Sequence, residues 1–78
     1  MSHTTPIQLE LTHSEAIVLE DFLARFEAHP SFREFDTADQ RALYNLHAQL
    51  EQTIDALLDP NYEHILSQAR RELRGEMS

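Results

Sequence analysis

Ile7-Gln8-Leu9-Glu10-Leu11 alternates apolar and polar residues strictly, which is the period of a strand with one buried face. No other stretch reads this way. Every later apolar run repeats at spacings of three and four, the period of a helix. The pattern predicts a mainly α protein: one N-terminal β-strand at 6–11, then helices at 13–28, 38–58 and 60–74, in a single small domain covering 1–78. Residues 1–5 are polar and expected to be loose. A lone strand leaves N–H and C=O groups unpaired along both edges. It either pairs with its copy in a second molecule or takes a strand from another protein. Antiparallel self-pairing across a two-fold dimer is the preferred reading, because a strand is a self-complementary surface. That makes Ile7, Leu9 and Leu11 candidate interface residues.

Local signals agree with the helices. Thr12-His13-Ser14-Glu15 is a capping box, with Leu11 placed to staple the first turn. In the first helix Ala16, Leu19, Phe22, Leu23 and Phe26 fall on one face, and Ile17, Ala24 and Ala28 nearly opposite. Pro30 ends it. The connector carries Phe32 and Phe35, which are expected to plug the end of the core; the alternative is that Phe32 is a surface anchor for a partner. Asp36 or Thr37 caps the second helix, whose stripe is Leu43, Leu46, Leu50, Ile54 and Leu57. The first two helices are expected to form an antiparallel hairpin, with the third packed across them. Asp59-Pro60 reads as a cap followed by a favoured first helical residue. Tyr62, Ile65, Leu66, Ala69 and Leu73 then form one face, and Gly75, the only glycine, sits at the stop position.

Charge changes the picture more than composition does. The chain has fourteen carboxylates against six arginines and no lysine, a formal net charge of −8. All the excess lies in residues 1–59, and 60–78 is neutral. This opposes phosphate binding and favours basic partners. Arg70, Arg71 and Arg74 are too few to hold nucleic acid against it, and suit the last turns of a helix instead. A solubilising surface is the plainer explanation of the acids. No run approaches the length of a membrane span. The first six residues lack the basic and apolar segments of a secretion signal, and there is no cysteine. The expectation is a cytoplasmic protein that binds neither membrane nor nucleic acid.

Signals for chemistry are weak. One glycine cannot build a phosphate-cradling loop, and no serine sits in a nucleophilic arrangement. His47 and Glu51, four apart, could form half a metal site, with His64 as a third ligand if the helices converge; the preferred reading is that His47 merely flanks the leucine stripe. Glu20-Asp21 and the row Glu51, Asp55, Asp59 are read as solvated carboxylates, the row being the best candidate for a face that meets a basic partner. The sequence thus assigns no catalytic residue, no cofactor and no metal.

Ile7-Gln8-Leu9-Glu10-Leu11-Thr12, Glu15-Ala16, Phe22-Leu23, Asp39-Gln40-Arg41-Ala42-Leu43 and Asp59-Pro60-Asn61-Tyr62 resemble, over most of the chain, a group of small bacterial proteins of unassigned function. The resemblance carries no catalytic signature and implies a short, stand-alone bacterial protein. The expected function is binding: a homodimeric adaptor or inhibitor of the immunity or antitoxin type. The alternatives are a nucleic-acid mimic that occupies a DNA-binding protein and, less favoured, a metal-dependent enzyme.

Overall fold

The computed structural model describes residues 5–76; most of the expected loose stretch at 1–5 lies outside them. The fold is mainly helical. Three helices, α1 (His13–Glu27), α2 (Thr37–Thr53) and α3 (Tyr62–Leu73), are joined by 3₁₀ turns at Pro30–Glu34 and Asp55–Leu58. No strand occurs among the described residues. Residues 6–11 lead into α1 without a ladder, because three helices offer them no second strand to pair with.

The start of α1 follows from its sequence. The Glu15 N–H donates to Thr12 Oγ1 at 3.1 Å, and Glu15 Oε1 accepts from the Thr12 N–H at 2.8 Å, so two orphan amides are satisfied reciprocally. After Pro30 the chain tightens into the first 3₁₀ turn, where His29 Nδ1 accepts from the Ser31 N–H. Phe32 in this turn is 1% exposed. Its ring lies edge-on to Phe26 and Tyr44, with centroids 5.3 and 5.2 Å away. It is therefore a core plug, and the surface-anchor alternative has no exposed ring to work with. Phe35 is half exposed beside Phe26.

The Asp36 carboxylate caps α2 by accepting from the Ala38 N–H at 2.7 Å. The helix then stops at Thr53, short of the expected Leu58. The Thr53 hydroxyl donates back to the Gln49 carbonyl at 2.8 Å, a local bond that weakens a helix end. Ile54 leaves the helix with φ −92° and ψ 104° while its side chain stays buried. Two β-branched residues in succession suit that exit. The start of α3 is also shifted. Asp59 Oδ1 accepts from the Asn61 N–H and the Asp59 carbonyl from the Tyr62 N–H, so Asp59 and Pro60 build a turn and the helix begins at Tyr62, not at Pro60. Its end is as the glycine suggests. Gly75 takes φ 78°, its N–H donates to the Glu72 carbonyl, and the Glu76 N–H donates to the Arg71 carbonyl at 2.9 Å, the paired bonds of a Schellman stop.

The core gathers Ile17 and Leu23 of α1, Leu50 and Ile54 at the end of α2, and Leu66 and Ala69 of α3. α1 packs against both other helices, and this corrects the expected face of α1. Ile17, Glu20 and Leu23 are its buried residues, whereas Phe22 is nearly half exposed. The buried arc is centred on Glu20 and is rotated by about 100°, one residue step, from the expected one centred on Leu19. A helix between two neighbours buries the side that faces both, and Phe22 and Phe26 instead stack on each other toward the 3₁₀ turn. No described helix is long and apolar enough to cross a membrane.

Candidate functional site

At the centre of the rotated arc of α1 stands a carboxylate. Glu20 is 7% exposed, the one charged residue among the described residues that counts as buried. Glu27 lies two turns further along the same side. Facing them from α2 is His47, which flanks the leucine stripe. Its Nε2 lies 2.9 Å from Glu20 Oε1 and its Nδ1 2.9 Å from Glu27 Oε2. Glu51, one turn on along α2, brings Oε1 to 3.3 Å from the same Nε2. From α3 the Tyr62 hydroxyl donates to Glu20 Oε2 at 3.5 Å. One imidazole is thus surrounded by three carboxylates drawn from two helices.

The electrostatics follow from that crowding. Burial by itself would lower the affinity of His47 for a proton. The hydrogen bonds to Glu20 and Glu27, with the charges of Glu27 and Glu51, outweigh it and hold the pKa above the ordinary histidine value. Burial, followed by the charges of Glu20 and Asp21, pushes the Tyr62 phenol up. Asp21, next to Glu20, is a separate system: it accepts from Arg25 at 2.9 Å and from Arg70 of α3. Both guanidiniums that reach this part of α1 are spent on Asp21, and none is paired with Glu20 or Glu27 among the described ion pairs.

The sequence reading placed Glu20 and Asp21 together on a solvated surface. The structure separates them, Glu20 into the core and Asp21 into an ion pair tying α1 to α3. Half of the cluster, His47 with Glu51, was legible from the four-residue spacing on α2. His64 does not join them; it is exposed on α3. Glu20 and Glu27 were missed because the helical face was centred one residue away. The seven-residue spacing of the two, flanking Leu23, was the signal available.

The other candidate residues lie elsewhere. Ile7 and Leu9 are 88% and 74% exposed, and Leu11 is partly covered. Residues 6–11 border a groove floored by Ala16 of α1 and by Leu46, Gln49, Leu50 and Thr53 of α2. Asp55 and Asp59 are exposed, but the break at Ile54 takes them off the helical line that would have aligned them with Glu51. A search of protein-family models, of curated proteins and of solved structures finds no match to this chain.

Proposed function

We propose that this chain is a small acidic protein-binding module, a cytoplasmic homodimer joined through residues 6–11 that acts as an adaptor or inhibitor of the immunity or antitoxin type. The observation that carries the reading is the exposure of Ile7 and Leu9 on a segment that has no ladder partner among the described residues. Two apolar side chains held in water beside a partly apolar groove are a poor end state for an isolated molecule. Antiparallel pairing with the same segment of a second copy would complete one edge and cover the alternate side chains. The net charge of −8 then favours a basic protein as the target, met through exposed carboxylates such as Asp55 and Asp59. Glu51 is turned toward His47 and contributes less to that surface.

Light scattering behind a sizing column, at micromolar protein and physiological salt, tests the assembly. A mass near twice 9.1 kDa is expected. A mass near 9.1 kDa would remove the homodimer and make a strand supplied by another protein the leading account.

A further inference from the structure

The cluster on α1 and α2 has more negative charge than its one histidine can balance. Three carboxylates converge on His47, and the nearby arginines are committed to Asp21. The ring geometry sharpens the point. A neutral imidazole has one N–H, yet both ring nitrogens lie 2.9 Å from a carboxylate oxygen. If Glu27 accepts the Nδ1–H, the Nε2 lone pair faces Glu20 Oε1 and Glu51 Oε1. A second ring proton bridges them when His47 is charged, and a metal ion can take its place when the ring is neutral. We infer that Glu20, His47 and Glu51 form a binding site for a divalent first-row transition ion of the zinc type, ligated by His47 Nε2 and one oxygen of each glutamate, with Glu27 as the carboxylate that orients the ring.

Three features fit this assignment. The donor atoms of Glu20, His47 and Glu51 all lie within 4.8 Å of one another. Bonds of about 2.0–2.1 Å around a tetrahedral ion separate neighbouring ligand atoms by about 3.3 Å. Glu51 Oε1 is already 3.3 Å from Nε2, and Glu20 Oε1, at 2.9 Å, needs to withdraw by a few tenths of an ångström. The Glu27–Nδ1 bond is the support that metal-bound histidines commonly have, a carboxylate on the far nitrogen that fixes the tautomer and aims Nε2 inward. One imidazole and two carboxylates form a mixed nitrogen–oxygen donor set, which suits zinc, manganese or iron(II) better than thiophilic ions. Glu51 is the half-exposed member, so the ion has a route in from solvent and an open position for water. The ion would clamp the middle of α1 to α2.

The test is titration of the chelator-treated full chain with Zn²⁺, read by calorimetry and by thermal melting, and with Co²⁺, whose visible absorption reports low-coordinate binding. One Zn²⁺ per chain, micromolar affinity or tighter and a raised melting temperature are expected. Glu51→Gln changes an exposed side chain and should leave the helical signal intact; it should weaken Zn²⁺ binding at least about 10-fold. Glu27→Gln, acting through the ring, should weaken it about 10–100-fold. His64→Ala should change nothing. The inference is overturned if the folded chain binds no Zn²⁺ at micromolar concentration. It is equally overturned if Zn²⁺ binds as tightly to Glu51→Gln and Glu27→Gln as to the parent, which would place the ion on other histidines.

Discussion

Glu20 Oε1 on α1 lies 2.9 Å from His47 Nε2 on α2, and this contact links the buried carboxylate of one helix to the most crowded imidazole of the next. A buried carboxylate that loses its partner keeps its full desolvation cost. In metal-free protein His47→Ala should therefore lower stability by about 3–5 kcal/mol, because Glu20 is left with only the long Tyr62 bond. Replacing both residues by leucine should recover most of that loss, since a well-packed apolar pair avoids the desolvation altogether. Urea melts of the parent, of His47→Ala and of the double leucine variant measure the two losses. Equal losses from His47→Ala and from the double leucine variant would show that the cluster is not held by the charge pair.

The leucine stripe of α2 is a second place where exposure sets the expected cost. Leu50 is buried in the common core, while Leu58, after the helix has ended, is 92% exposed. Leu50→Ala should cost about 2–5 kcal/mol, the transfer loss plus a cavity. Leu58→Ala should stay within about 0.5 kcal/mol. Chemical denaturation of the two variants side by side checks this. Similar losses would mean that Leu58 is covered in solution, as an interface residue would be.

The fold was legible in the sequence wherever a local signal was enough. The Thr12–Glu15 box, the Asp36 cap and the Gly75 stop depend on neighbouring residues alone, and all three operate in the structure. The end of α2 was less legible: the apolar stripe continues through Ile54 and Leu57, and those residues do pack on the core. Periodicity reports which residues are buried, and the backbone can deliver them there from a 3₁₀ turn as well as from a helix. The site was half legible. His47 and Glu51 share one helix and a readable spacing, whereas Glu20 and Glu27 join them only through the way α1 meets α2. That juxtaposition depends on the rotation of α1, which its two neighbours set together.

The charge state of His47 makes stability depend on pH in a definite direction. Its pKa in the folded chain is raised above the ordinary 6.5, so folding favours the protonated ring. The stabilisation is complete below the unfolded value and is lost as pH rises through the folded one. Metal-free protein should therefore lose stability as pH climbs from about 6.5 through the raised value, and His47→Gln should flatten that part of the profile. Thermal melts in chelator across this range give the slope, and the imidazole proton shifts of His47 give the midpoint. A midpoint at or below 6.5 would show that burial outweighs the carboxylates.

The N-terminal segment gives the sharpest separation between association and folding. Leu9 is 74% exposed within one chain, so a charge there meets water in the monomer and costs the helices little. In the proposed dimer the same side chain is covered by the second copy, and Leu9→Asp would place two carboxylates close together across a two-fold axis. The variant should run at the monomer mass with an unchanged helical signal in circular dichroism. Gln8→Asp is the control, since in the proposed strand its side chain would point to the opposite face from Leu9, and it should remain dimeric. If Leu9→Asp keeps the parent's dimeric mass, residues 6–11 are not the contact, and the half-exposed rings of Phe22, Phe35 and Tyr44 become the next surface to change.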